Sequence, residues 1–309
     1  MNSSVFENKK IPNEFITEEN GVSIFLKRED LLHPEVSGNK FRKLKYNFGE
    51  AIRQNKKKIL TFGGAFSNHI AATAAAGKLF GLKTIGIIRG EELGSDLQKT
   101  LIENPTLNYA ANCGMEFEFI SRALYRKKED PDYTDSLRKK YGNFYLLPEG
   151  GTNPLAIKGC SEILTPEDEG FDIICCPVGT GGTMAGIVNS SFSHQRVLGF
   201  SALKGKFLHK VITELTKKNN WKIIIDYHFN GYAKVNRELV EFINDFKEDY
   251  QIALDPVYTG KMIFGIFDLV RKNAFPAGSR ILAVHTGGLQ GIPGMNNYLK
   301  RKCLPQIKI

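Results

Sequence analysis

Along most of the chain, short apolar runs bounded by polar turns alternate with longer segments whose apolar residues recur at helical spacing. The first run, at 24–26, reads as a strand leaving through Lys27, Arg28, Glu29 and Asp30. A helix is then expected from Lys40 toward residue 53, with Gly49 as its weak point. Strands at 58–62, 84–88, 116–120 and 144–147 alternate with helices at 68–80, 95–112 and 133–141, which argues for a compact parallel-sheet α/β domain over 52–150. After the turn-rich 148–154 the pattern restarts. Strands are expected at 171–177, 197–201, 223–225 and 281–285, and helices at 156–163, 184–190, 207–218, 236–246 and 262–270. Residues 151–309, completed by 1–51, are expected to build a second, larger α/β domain. The chain is therefore read as two open twisted parallel-sheet domains with a ligand cleft between them.

Composition narrows the class of protein. The chain has 309 residues, 42% apolar and 24% charged, an ordinary balance for a folded domain pair. Its net charge of +9 can steer anionic metabolites, but no basic cluster is interleaved with aromatics as on a nucleic-acid platform. No apolar run is long enough to span a membrane, and the polar start lacks a signal segment, so a cytoplasmic protein is expected. Five cysteines, two of them adjacent at Cys175 and Cys176 in a strand-like run, suggest reduced core thiols with no disulfide framework or metal site.

Candidate chemistry clusters at five stretches. In Ser37-Gly38-Asn39-Lys40-Phe41-Arg42-Lys43-Leu44, Lys40 falls near a helix start, where an ammonium is poorly matched to the positive helix end. Burial or nearby charge would be needed to make that amine reactive at neutral pH. The run from Phe171 through Gly179-Thr180-Gly181-Gly182-Thr183 is strand, glycine-rich turn and helix start, so backbone N–H groups can converge on an anion. Tight packing is the competing account of its glycines. Gly63-Gly64-Ala65-Phe66-Ser67-Asn68-His69 has the same placement; Ser67 or Asn68 can cap the helix, bind a carboxylate, or do both. Tyr258, in Asp255-Pro256-Val257-Tyr258-Thr259-Gly260-Lys261, stands at a turn before a helix. His285-Thr286-Gly287-Gly288 ends the last strand, with Thr286 a possible donor to a ring nitrogen and His285 read as structural.

Together and in order, these five stretches resemble the pyridoxal-phosphate family that contains D-cysteine desulfhydrase and 1-aminocyclopropane-1-carboxylate deaminase, over about residues 11–295. The resemblance implies a tryptophan-synthase-β-like fold, pyridoxal 5'-phosphate in the interdomain cleft, a small amino-acid substrate and a homodimer. It implies Lys40 as the Schiff-base lysine, Asn68 as partner of the cofactor's ring oxygen, and Gly179, Thr180, Gly181, Gly182 and Thr183 as the phosphate cup. Ser67 matches the serine near the substrate carboxylate, Tyr258 the active-site tyrosine, and His69 a further substrate contact.

Within that family, Thr259, Thr286 and His69 match the desulfhydrase; the deaminase carries glutamate, leucine and glutamine there. β-Elimination from D-cysteine is therefore favoured over ring opening of the cyclopropane amino acid. A non-catalytic small-molecule binder on the same fold is the alternative from another class. The segment 221–234, with Tyr227, His228, Phe229 and Tyr232, is more aromatic than a very small substrate requires, and either faces the cleft or covers core.

Overall fold

The computed structural model describes residues 10–205 and 207–309; the expectation of a polar, signal-free start falls largely on residues 1–9, outside them. The chain enters through a hairpin, β1 (Asn13–Glu19) and β2 (Val22–Lys27), closed by Asn20 and Gly21, both at positive φ. That Asn-Gly pair is the turn whose twist suits two adjacent strands. Helix α1 (Asn39–Arg53) follows. The alternating section is β3 (Lys58–Gly64), α2 (Asn68–Phe80), β4 (Lys83–Arg89), α3 (Leu97–Glu103), α4 (Pro105–Asn112), β5 (Met115–Ile120), α5 (Arg122–Tyr125), α6 (Pro131–Tyr141) and β6 (Tyr145–Leu147). Its strands form a four-stranded parallel sheet in the order β5-β4-β3-β6.

The rest comprises α7 (Pro154–Cys160), β7 (Ile173–Val178), α8 (Gly182–Ser190), β8 (Arg196–Ser201), α9 (Phe207–Leu215), β9 (Trp221–Ile224), α10 (Arg237–Tyr250), α11 (Thr259–Arg271), β10 (Arg280–Val284) and α12 (Ile292–Arg301). Here the sheet is six-stranded, β1-β2-β10-β7-β8-β9, parallel except for the antiparallel edge strand β1. All six residues of β7 are buried, as a central strand covered on both faces requires. Cys175 and Cys176 are core thiols with no accessible surface.

Two expectations need correction. The single helix over 95–112 is two, because Asn104 ends α3 and caps α4 by accepting from the Leu107 N–H at 3.0 Å, with Pro105 in the first turn. The larger sheet is mixed, since β1 adds an antiparallel edge.

Helix α1 joins the two layers. Its Phe41, Leu44, Phe48 and Ala51 pack with Ile59, Ala72, Ala75 and Leu147 beside the smaller sheet. Its other side meets α7, where a Cβ on Gly159 would lie 1.9 Å from the Arg42 carbonyl oxygen. Glu29, fully buried, grips the Arg42 guanidinium through Nε and Nη2, both at 2.9 Å, while Asp30 and Glu14 hold Arg28. The Arg28-Glu29-Asp30 stretch is thus structural, and it fixes the helix that carries Lys40. Among the described residues no helix is long and apolar enough to cross a membrane.

Candidate active site

The strand ends of the two sheets enclose a cavity of about 430 Å³. Lys40, Ser67, Asn68, His69, Gly179, Thr180, Gly181, Thr183, Tyr258 and Thr286, all singled out in the sequence, line it. Gly182 does not. It opens α8, and a Cβ on it would lie 2.8 Å from the Thr152 hydroxyl, so its contribution is close approach and a helix-start N–H.

Lys40 is the second residue of α1, and a bend at Gly38 sets where the helix begins. Gly38 has φ 60° and ψ −140°, and a Cβ there would fall 2.0 Å from the Thr286 carbonyl oxygen, which accepts the Asn39 N–H at 3.3 Å. Glycine is therefore the residue that lets the Lys40 turn lie against the end of β10. Burial, and next the charge of Lys43, bring the Lys40 pKa down to about 7. At neutral pH a large share of this amine is a free base, as a nucleophilic lysine requires.

Lys43, one turn further along, is a functional residue that sequence reasoning credited only with charge. Its buried Nζ donates to the Gly150 carbonyl at 2.9 Å, to Thr152 Oγ1 at 3.0 Å and to Thr180 Oγ1 at 3.4 Å. Burial lowers its pKa, and the described residues offer it no salt-bridge partner. With the α8 start, where Gly181 is left-handed at φ 86°, this makes an anion site of one cation, two hydroxyls and helix N–H groups. Asn39 braces it by donating to Thr183 Oγ1 at 2.9 Å. The missed signal was the i, i+3 spacing of Lys40 and Lys43, which puts both amines on one helix face.

At the opposite wall, Ser67 caps α2, accepting from the Ile70 N–H at 3.4 Å, and also faces the cavity, so capping and ligand roles coexist. Asn68 leaves Oδ1 buried without a partner, and its Nδ2 has only a 3.5 Å contact to the Gly288 carbonyl. His69 is neutral: burial, then Lys40 and Lys43, hold its pKa well below 6.5. The Thr61 hydroxyl donates to the Leu147 carbonyl at 2.9 Å, so the 2.8 Å contact makes His69 Nε2 the donor to Thr61.

Tyr258 faces the cup. A Cβ on Gly179 would meet its ring and hydroxyl at 3.1 Å. Burial, followed by the neighbouring Tyr232 and Asp255, raises the Tyr258 pKa well above 10, so the phenol keeps its proton. In that state the phenol can donate a hydrogen bond into the cavity. Tyr232, a second cavity tyrosine, stands edge-on to it with ring centroids 6.2 Å apart. The aromatic segment therefore divides: Tyr232 faces the cleft, whereas Tyr227 and Phe229 pack into the large core. Thr259 is fully buried away from the cavity, its hydroxyl donating to Asp255 Oδ2 at 2.7 Å. His285 is structural, with Nε2 2.8 Å from the Ala253 carbonyl.

An amine near neutrality, an anion cup one side chain away, and an orphaned buried amide define a site that fits an aldehyde cofactor bearing a phosphate. The fold and this site together are those of a fold type II pyridoxal-phosphate enzyme. Comparison with known proteins supports the assignment. Residues 7–287 match the family model described as pyridoxal-phosphate dependent enzyme. A Pyrococcus horikoshii protein, provisionally named 1-aminocyclopropane-1-carboxylate deaminase, is 31% identical, covering 91% of this chain and 88% of its own. The bifunctional D-cysteine desulfhydrase/1-aminocyclopropane-1-carboxylate deaminase of Arabidopsis thaliana is 31% identical over 88% of this chain and 74% of its own. A crystal structure described as an ACC deaminase homologue superposes with a TM-score of 0.79 at 28% identity, over 92% of this chain and 91% of that one. The chain belongs to the pyridoxal-phosphate dependent enzyme family, and within it is related to the deaminase and D-cysteine desulfhydrase group.

Proposed function

We propose that this enzyme carries out β-elimination on D-cysteine or a related small D-amino acid, with pyruvate, ammonia and sulfide as the products. Pyridoxal phosphate supplies an electron sink for charge developing at the substrate Cα. Lys43, Thr180, Thr183 and the α8 start, with Gly179, Gly181 and Gly182, would hold its phosphate. Lys40 would hold its aldehyde carbon, Asn68 its ring oxygen, and Thr286 would face its ring nitrogen.

The residues then divide the work. Ser67 and the open N–H groups of α2 take the substrate carboxylate, as a helix start favours an anion. Lys40, whose amine is released once the substrate's own amine takes its place at the aldehyde carbon, would receive the Cα proton. Tyr258, which keeps its proton, donates to the sulfur as the Cβ–S bond breaks, and Tyr232 aligns that phenol. Neutral His69 offers a further contact to substrate.

One observation carries the choice of D-cysteine over the cyclopropane amino acid. Glu149 is the single acidic side chain among the described residues lining the cavity, and it is tied up by the Tyr125 hydroxyl at 2.7 Å and Lys128 at 3.5 Å. No other described lining residue brings a carboxylate that could stabilise a protonated ring nitrogen and deepen the sink, and Thr286 offers a neutral hydroxyl instead. Expulsion of a thiolate makes less demand on that sink than opening an unactivated ring. The test is to give the purified holoenzyme D-cysteine, L-cysteine, β-chloro-D-alanine and the cyclopropane amino acid, measuring pyruvate and 2-oxobutanoate. Product from the cyclopropane substrate alone would overturn the assignment, and no product from any of them would favour the non-catalytic binder.

A further inference from the structure

Tyr232 reaches the cavity from a backbone that L-residues disfavour. Of the five residues 229–233, Phe229, Asn230, Gly231 and Ala233 all have positive φ, at 50°, 68°, 114° and 54°. Such a run persists only where its surroundings hold it.

The holding group is Lys261. Its side chain, 2% exposed, extends from the first turn of α11, and Nζ donates to the carbonyls of His228 and Gly231, each at 2.9 Å. These two carbonyls bracket the left-handed run immediately before Tyr232. A buried ammonium at the positive end of a helix is unfavourable twice over, by desolvation and by the helix dipole. Burial accordingly brings its pKa down to about 8, and only the nearby Asp255 works in the other direction. A charge kept there at such a cost needs a return. The return visible in the structure is geometric, because α11 also begins at Tyr258, so one helix end fixes both cavity tyrosines, Tyr258 by its cap position and Tyr232 through Lys261. Tyr227 and Phe229 strengthen the same anchorage. Tyr227 donates to Asp268 at 2.6 Å, and the Phe229 ring meets Phe264 edge-on at 5.1 Å.

We propose that Lys261 is a positioning residue of this enzyme, clamping the 228–231 turn so that the Tyr232 hydroxyl meets Tyr258 and orients it toward the substrate. This rests on the reading of Tyr258 as the proton donor, and the test separates the two claims. Amide hydrogen exchange is measured on the wild-type and Lys261→Met holoenzymes. Exchange at 229–234 should accelerate while α10 and β10 keep wild-type protection. Lys261→Gln, which retains N–H donors, should lose less protection, and it takes over the test should the methionine variant fail to fold.

In parallel, kcat and KM are measured for Lys261→Met, Tyr232→Phe and the double variant, with whichever compound of the four-substrate panel the wild type turns over. Lys261→Met should lower kcat about 10-fold or more, as expected for a displaced catalytic group, and change KM little. In the Tyr232→Phe background it should cost almost nothing further. Unchanged exchange at 229–234 would overturn the clamp. Accelerated exchange with the same loss of kcat in both backgrounds would overturn its action through Tyr232. Full activity in Tyr258→Phe would sink the proton-donor reading, with the exchange result still deciding whether Lys261 holds the turn.

Discussion

Adding one methyl group at Gly38 should separate the lysine turn from the strand it leans on. In Gly38→Ala the new Cβ would lie 2.0 Å from the Thr286 carbonyl oxygen, 2.3 Å from its carbon and 2.7 Å from the Gly287 nitrogen, all backbone atoms that no rotamer change can move. The conformation itself, φ 60° and ψ −140°, costs an L-residue ~1–3 kcal/mol. Overpacking against fixed backbone adds ~1–3 kcal/mol, and the 3.3 Å bond from the Asn39 N–H to Thr286 would be lost for ~1 kcal/mol more. The sum is about 3–7 kcal/mol, a fall in thermal midpoint of about 6 °C or more at ~2 °C per kcal/mol for a large chain. Gly49→Ala is the matched control. Gly49 is an exposed interior residue of α1 with nothing within 4 Å of its would-be Cβ, so alanine should add ~0.5–1 kcal/mol through helix propensity. Thermal melts of both variants, read beside the visible-edge absorbance of the bound cofactor, test the pair. Gly38→Ala melting at or above the wild-type temperature would refute the reasoning. So would a folded Gly38→Ala protein with a normal cofactor band.

Lys43→Met should weaken pyridoxal phosphate binding about 10–100-fold, the range for losing charged hydrogen bonds to a phosphate, while pyridoxal itself is affected far less; titration with the two compounds reads this directly. The rate at which Lys40 links to added pyridoxal phosphate should rise with pH around a midpoint near 7, since only the free amine reacts. Lys43→Met should move that midpoint upward by removing a repelling charge, and a wild-type midpoint near 10 would contradict the buried-amine picture. Because Tyr258 holds its proton well past pH 10, Tyr258→Phe should lower kcat without removing any alkaline limb below pH 10; a limb that disappears in this variant would show the phenol titrating earlier than its burial allows.

The alternation of apolar runs and helical segments was enough to read nine of the ten strands among the described residues, because parallel strands buried on both faces are dense in Val, Ile and Leu. The strand missed, β1, is a polar edge in which Ile16 is the one buried residue, yet the Asn20-Gly21 turn beside it was a usable signal. The break at Asn104-Pro105 was legible too, as a cap followed by a first-turn proline. Helix α12 was overlooked because Gly291 and Pro293 at its start look like a terminator, although proline is welcome in a first turn. In the site, glycine-rich turns at strand ends and one misplaced lysine were readable, whereas the convergence of Lys43 on Thr152 and Thr180 joins residues more than 100 positions apart. Thr259, used only to separate the two activities within the resemblance, is turned inward by local bonding to Asp255. Spacing along the chain does not disclose such a rotation.

Beside Gly179 the Tyr258 phenol leaves little room, since a Cβ there would lie 3.1 Å from both its ring and its hydroxyl. The loop that would grip the phosphate and the group that would deliver the proton are therefore close neighbours, with too little space between them for a side chain to fit unopposed. Seating the anion then also sets the acid: a cofactor analogue stripped of its phosphate would lose its foothold and leave the tyrosine less firmly aimed. Affinity and proton delivery in this cleft are in that sense one mechanical property.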